Sequence, residues 1–306
     1  MNRRRLFRIA ALAGLLPLAL PAEDWPQFRG PTGNGVAQEG EAPLHWGPAQ
    51  NVRWTATLPG PGNSSPIVSH GRVFITCAED AGKKRKLYCF DRRTGKELWV
   101  RTVEFPIVEP THKSNEILCS MLTRLVACDP KTGALLWFCE GLAEEKADLV
   151  YPSPVVSDGI GVAFSGWVNG PTIGFKLGGT GDVTASNRLW LEKQTQRNGS
   201  GVVVDGHVFI VNAGPGTAQC MECQTGKIRW TERLDGGESW GSVVLAAGRL
   251  YVTSRRGVTS VFRPDPEKFE LLAMNDLGEP SNATPAVSNG QIFLRTDAHL
   301  FCIAEH

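Results

Sequence analysis

Residues 89–99 read Cys-Phe-Asp-Arg-Arg-Thr-Gly-Lys-Glu-Leu-Trp, and the arrangement returns at 127–137 as Ala-Cys-Asp-Pro-Lys-Thr-Gly-Ala-Leu-Leu-Trp and at 220–230 as Cys-Met-Glu-Cys-Gln-Thr-Gly-Lys-Ile-Arg-Trp. Asp91, Thr94, Gly95 and Trp99 thus recur as Asp129, Thr132, Gly133 and Trp137, and Thr225, Gly226 and Trp230 recur behind Glu222 in place of the aspartate. Three copies at fixed internal spacing mark a structural repeat. Each copy reads as strand, turn, strand. Apolar residues alternate, an acid and a polar pair suit a type I turn, glycine supplies positive φ, and the second strand carries an indole to fill space between sheets.

Working outward, each hairpin is preceded by a small-residue or proline start, alternating apolar residues and a glycine turn. This signature runs Ser64-Ser65-Pro66-Ile67-Val68 before Gly71, Pro152-Ser153-Pro154-Val155-Val156 before Gly159, and Gly199-Ser200-Gly201-Val202-Val203 before Gly206. It returns as Trp240-Gly241-Ser242-Val243-Val244 before Gly248 and as Ala283-Thr284-Pro285-Ala286-Val287 before Gly290. Two hairpins per unit make four antiparallel strands, the content of a propeller blade. The hairpin-ending residues Trp54, Trp99, Trp137, Trp190, Trp230 and Leu271 lie 38 to 53 residues apart, which brackets the period of such a blade. The reading is therefore all-β: a β-propeller of about six four-stranded antiparallel blades, one of them thin or incomplete. The last unit stops after Leu300-Phe301-Cys302-Ile303, where an outer strand is due, and Val52–Leu58 is an outer strand with no unit of its own. The expectation is that the two pair and close the ring, hiding edge strands. Two units depart from the pattern, one through the loop Gly178-Gly179-Thr180-Gly181-Asp182 and one through Arg263-Pro264-Asp265-Pro266. Both read as loop elaborations.

Composition agrees with many tight turns and bulky packing: 306 residues, 42% apolar, 34 Gly, 20 Pro and 9 Trp. Residues 1–22 read as an export signal, with Arg3, Arg4, Arg5 and Arg8 before the apolar run Ile9–Leu20, by the general secretory route or a twin-arginine one. The organisation is then signal 1–22, arm 23–51 and propeller 52–306. Without the signal, 28 basic side chains face 31 acidic ones. That balance argues against nucleic acid, which needs a basic face. No later run is long and apolar enough to span a bilayer, and the first cysteine, Cys77, is too far on to carry a lipid anchor. The expected location is periplasmic or secreted.

The Ala/Cys-x-Asp-x-x-Thr-Gly-x-x-x-Trp element resembles the tryptophan-docking motif of pyrroloquinoline-quinone (PQQ) dehydrogenases. From Asp24-Trp25-Pro26-Gln27-Phe28-Arg29-Gly30-Pro31 onward, the chain looks like the bacterial PQQ-binding-like β-propeller repeat proteins, and it also resembles the propeller subunit of the outer-membrane barrel-assembly machinery. Set against full-length relatives, it is short between Thr111–Asn115 and Glu116–Ser120, as if one to two blades were missing. The resemblance to the dehydrogenases implies adjacent ring-forming cysteines, a tryptophan stacked on the quinone, calcium on Glu and Asn, and an Asp base. No Cys-Cys pair occurs in this chain.

Cys220-Met221-Glu222-Cys223 offers C-x-x-C spacing, yet Cys89, Cys220 and Cys302 share one repeat position and read as small packing residues. Residues three apart on a strand face opposite sides, which does not suit a shared metal. The six histidines show no ligand spacing, and an exported chain has scope for one or two disulfides. Catalytic, cofactor and metal residues are accordingly expected to be none, with PQQ and calcium the alternative. Trp167, Asn169, Trp240, Arg255 and Arg256 are the candidates for a ligand surface on channel-edge loops. The functional expectation is an exported noncatalytic propeller that binds or scaffolds an unknown protein or small molecule. The alternatives are a PQQ-dependent dehydrogenase-like oxidoreductase and an envelope or outer-membrane assembly factor.

Overall fold

A computed structural model describes residues 24–37, 41–60, 62–79, 84–102, 116–145, 150–166, 169–194, 196, 198–211 and 216–305. The expected signal at 1–22, Thr111–Asn115 and Trp167 lie outside these residues. Strand β1 (Val52–Thr57) comes first. Blade one holds β2 (Ile67–Ser69), β3 (Arg72–Glu79), β4 (Lys84–Asp91) and β5 (Glu97–Thr102). Blade two has β6 (Ile117–Ser120), β7 (Arg124–Cys128) and β8 (Leu135–Glu140). Blade three has β9 (Val155–Ser157), β10 (Ile160–Phe164) and β11 (Gly170–Lys176), then, after β12 (Gly181–Asp182) and the turn of helix α1 (Thr184–Asn187), β13 (Arg188–Gln194). Blade four comprises β14 (Val202–Val204), β15 (His207–Val211), β16 (Thr217–Glu222) and β17 (Ile228–Arg233). Blade five comprises β18 (Val244–Ala246), β19 (Arg249–Thr253), β20 (Val258–Phe262) and β21 (Leu271–Asp276), and blade six β22 (Ala286–Ser288), β23 (Gln291–Arg295) and β24 (His299–Ile303).

The described residues form six four-stranded sheets, an all-β propeller. β1 pairs antiparallel with β24, Thr55 opposite Phe301, so the early strand completes the last blade as expected. Blade two differs from the pattern. Among the described residues it shows no first strand, and its sheet takes a fourth strand from β12, lent by the Gly178–Asp182 loop and parallel to β8. That loop, read as an elaboration, thus covers the outer edge of the incomplete sheet.

Local chemistry explains the repeat. The first two strands of blades one, three, four, five and six are joined by His70-Gly71, Asp158-Gly159, Asp205-Gly206, Ala247-Gly248 and Asn289-Gly290, with positive φ at both positions. This is the type I′ hairpin whose twist matches that of the strands. In the repeat turn, Asp91 Oδ1 accepts from the amides of Arg93 (3.1 Å) and Thr94 (2.8 Å) and from the Thr94 hydroxyl (2.7 Å). Asp129 accepts from the amides of Lys131 and Thr132, both at 2.8 Å, and Glu222 takes the Thr225 hydroxyl at 2.6 Å.

The indoles carry this local order between blades. Trp54 Nε1 donates to the Arg92 carbonyl, Trp190 Nε1 to that of Cys223 and Trp230 Nε1 to that of Asp265, each at 2.8 Å and each in the repeat turn of the following blade. A Cβ on Gly226 would lie 2.7 Å from the Trp190 ring, so glycine there serves both the left-handed backbone (φ 75°) and the close approach. The prolines of Arg263–Pro266 therefore shape a docking turn rather than a free loop. Trp99 and Trp137 behave differently. Trp99 packs on Phe74 of its own blade, while the fully buried Trp137 reaches Phe175 of blade three and donates to Glu116.

Apolar clusters join blades two and three, three and four, four and five, and five, six and one. Among the described residues none joins blade one to blade two, whose connection includes 103–115.

Candidate functional site

First strands of neighbouring blades approach one another, β9 to β14 and β2 to β22, which puts them at the axis. Segment 24–37 lies on their axis side. Trp25 bridges antiparallel to Val68, Val36 bridges parallel to Leu245, and the Arg29 guanidinium donates to the Gly201 carbonyl at 2.6 Å. The segment thus spans from blade one to blades four and five, because unpaired edges of first strands offer it backbone partners. Trp25 and Arg29 are both buried, and Arg29 also donates to the carbonyls of Gly33 and Asn34. Burial pushes the Arg29 guanidinium down to about 10, still charged at neutral pH.

Around the channel runs a chain of hydroxyls at one repeat position. The amide of Ser153 donates to Ser200 Oγ (2.9 Å), that of Ser200 to Ser242 Oγ (3.0 Å), that of Ser242 to Thr284 Oγ1 (2.9 Å) and that of Thr284 to Ser65 Oγ (3.0 Å). Each bond crosses from one blade to the next. The position two residues earlier holds Asn63, Tyr151, Asn198, Trp240 and Asn282, and all five line one hollow of about 430 Å³ with Phe28 of the arm. An adjoining hollow of about 440 Å³ shares Glu238 and Asn282 and adds Arg255, Arg256 and Asp297.

Trp240 is held in place there: its Nε1 donates to Glu238 Oε1 at 3.1 Å, and the Arg255 guanidinium sits 4.3 Å from its ring centroid. Arg255 also pairs with Glu238 Oε2 at 3.0 Å, so acid and base balance. Asn282 donates to Asn63 Oδ1 at 3.1 Å, while its own Oδ1 is buried without a protein partner.

Of the residues singled out in the sequence, Trp240 and Arg255 are brought into contact. Arg256 binds the carbonyls of Asp235 (2.5 Å) and Gly236 (3.1 Å) in the next loop, and Asn169 lies in the β10–β11 connection of blade three. Asn63, Tyr151, Asn198, Asn282 and Phe28 were missed. The signal that reveals the first four is their place two residues ahead of the recurring Ser or Thr; nothing in the sequence foretells Phe28.

All eight cysteines are thiols, none in a disulfide. Burial pushes Cys220, Cys223 and Cys302 up to about 12 and Cys139 up to about 11. Such thiols are packing residues rather than nucleophiles. No helix among the described residues is long and apolar enough to cross a membrane.

Comparison with known proteins places the chain. Among solved structures, BamB from Moraxella catarrhalis is similar over 82% of this chain and 72% of its own, at 16% identity and a TM-score of 0.49. A europium-containing methanol dehydrogenase is similar over 90% and 68%, at 12% identity and 0.49. The quinohemoprotein alcohol dehydrogenase ADHIIG from Pseudomonas putida HK5 is similar over 93% and 58%, at 14% identity and 0.47. A search of curated proteins finds no match. A family model described as outer membrane protein assembly factor BamB matches residues 46–232 and 216–304, and over that span the chain belongs to this family of PQQ-like repeat propellers.

Proposed function

We propose that this chain is a noncatalytic β-propeller that binds or scaffolds a partner outside the cytoplasm, with the channel-mouth cup as its contact site. The observation that carries the reading is the cup itself: aromatic and carboxamide side chains held by repeat geometry around one hollow. Cups of this kind, largely pre-formed with a few placed polar groups, are the usual form of ligand sites.

The residues present do not fit PQQ and calcium. The chain has no adjacent cysteines, the Glu238 carboxylate is engaged by Trp240 and Arg255, and Asn63 and Asn282 bond one another. No cluster of three or more His, Cys, Asp or Glu suited to a metal occurs among the described residues. Segment 24–37 lies along the axis beneath. The test is to add PQQ and calcium to purified protein and follow binding and dye-linked oxidation of alcohols and sugars. No turnover is expected, and stoichiometric binding with turnover overturns the reading.

A second reading follows from the description of the matching family model, a part in assembling outer-membrane proteins. Its support is membership alone. A pull-down from envelope extracts that recovers an assembly component favours it, and one that recovers none removes it. The export signal expected at residues 1–22 supports a location in the envelope or beyond.

A further inference from the structure

Phe28, Tyr151 and Trp240 are the exposed large aromatic side chains among the described residues, at 44%, 55% and 37%, and all three line the same cup. Elsewhere the exposed large hydrophobics are aliphatic or thioether, as at Leu98, Met121 and Leu135. Scattered apolar exposure needs no explanation, whereas convergence of these three rings on one polar hollow does.

We propose that the cup binds a neutral carbohydrate, a proposal that rests on the noncatalytic binding role above and specifies its ligand. Three properties select this chemistry. Charge is the first: among the described residues lining the cup the charged side chain is Glu238, and Arg255 matches it, a balance that favours a neutral ligand over a phosphate, an acidic peptide or a free cation. The second is the mixture of surfaces. A pyranose ring has C–H-rich faces that stack on aromatic rings and an equatorial belt of hydroxyls that both donate and accept. Rings with an apolar body beside carboxamides meet both needs, since each amide offers two donors and an acceptor. Asn63, Asn198 and Asn282 supply the carboxamides, and the Asn282 carbonyl oxygen has no protein partner. Third is pre-organisation: Trp240 is fixed by Glu238 at one edge and by Arg255 over its ring, so little side-chain entropy remains to be lost on binding. The adjoining hollow that shares Glu238 and Asn282 extends the site beyond one sugar unit.

The test is calorimetric titration of the purified full chain with cellobiose, maltose and di-N-acetylchitobiose, with inorganic phosphate as the charged control. At least one disaccharide is expected to bind at millimolar concentration or below and to change indole fluorescence, while phosphate does neither. Trp240→Ala and Asn282→Ala are each expected to weaken binding about tenfold or more with the unfolding midpoint retained, and Trp240→Phe to keep most of it. The assignment is overturned if no disaccharide binds, or if binding is unchanged in Trp240→Ala. Should the sugars fail while Tyr151→Cys carrying a photo-crosslinker captures a protein from envelope extract, the carbohydrate assignment falls and the noncatalytic role stands. Binding of PQQ and calcium with turnover removes both.

Discussion

The backbone amide of Ser200 donates to the hydroxyl of Ser242 at 3.0 Å, across the boundary between blades four and five. Both residues are buried, so no water replaces the acceptor when the hydroxyl is deleted. Ser242→Ala is therefore expected to cost about 1–3 kcal/mol, the penalty for a buried unsatisfied donor. Thr284→Ser, which keeps the acceptor for Ser242, should cost less than Thr284→Val, which removes it. Urea unfolding midpoints decide; equal midpoints for the two Thr284 variants would count against a structural role for the hydroxyl chain.

Gly133 and Gly226 occupy the same turn position at φ 71° and 75°, but a Cβ meets nothing within 4 Å at Gly133 and the Trp190 ring at Gly226. Alanine at either site carries the left-handed cost of about 1–2 kcal/mol. Gly226→Ala should lose a further 1–3 kcal/mol or so through overpacking against the docked indole. The difference in unfolding free energy between the two variants measures tryptophan docking, and equal losses would mean that Trp190 gives way freely.

Ala247 holds φ 48° in a type I′ turn whose counterparts are His70, Asp158, Asp205 and Asn289. Alanine gains nothing from the left-handed region, whereas asparagine tolerates it. Ala247→Asn should stabilise the protein by about 0.5–1 kcal/mol in thermal or urea unfolding. A destabilised variant would contradict the turn assignment.

The Thr94 hydroxyl and then its amide hold the Asp91 carboxyl below the usual aspartate range, and the Thr132 and Lys131 amides do the same for Asp129. A carboxyl lowered in the folded state adds stability that is fully present above its unfolded pKa. That stability is lost as pH falls through the lower folded value. Asp91→Asn should thus flatten the loss of stability below about pH 4, near the ordinary aspartate value. Unfolding followed across that range checks it, and an unchanged slope would rule the turn out as a contributor.

Native protein treated with iodoacetamide at mildly alkaline pH should stay unmodified at Cys139, Cys220, Cys223 and Cys302, because burial both hides these thiols and keeps them protonated. Mass spectrometry should find all four modified once guanidinium unfolds the chain. Rapid native modification at Cys220 or Cys223 would revive a reactive C-x-x-C.

The blades were legible because their instructions are local. An acid, a threonine and a glycine within five residues specify a turn whose hydrogen bonds close on themselves, as at Asp91, and strand alternation does the rest. Pairing of β1 with β24 was legible because each half lacked its complement. Trp54 was readable as a spacer, but its acceptor, the Arg92 carbonyl, belongs to the next blade. The course of residues 24–37 was not legible, since an irregular segment has no period and its partners are the edges of β2 and β18, far away in the chain. For the same reason only Trp240 of the cup, with Arg255 and Arg256 of the adjoining hollow, was singled out. Asn63, Asn198 and Asn282 are ordinary loop residues until the ring places them side by side.

The architecture rests on one sheet shared by the two ends of the propeller. Native-state hydrogen exchange, read by mass spectrometry on the segments 52–57 and 299–303, tests it most directly. Both segments should be protected to the same extent and lose protection together in one opening step. Exchange of residues 52–57 at the rate of a free peptide, while 299–303 stays protected, would show that the early strand does not complete the last blade.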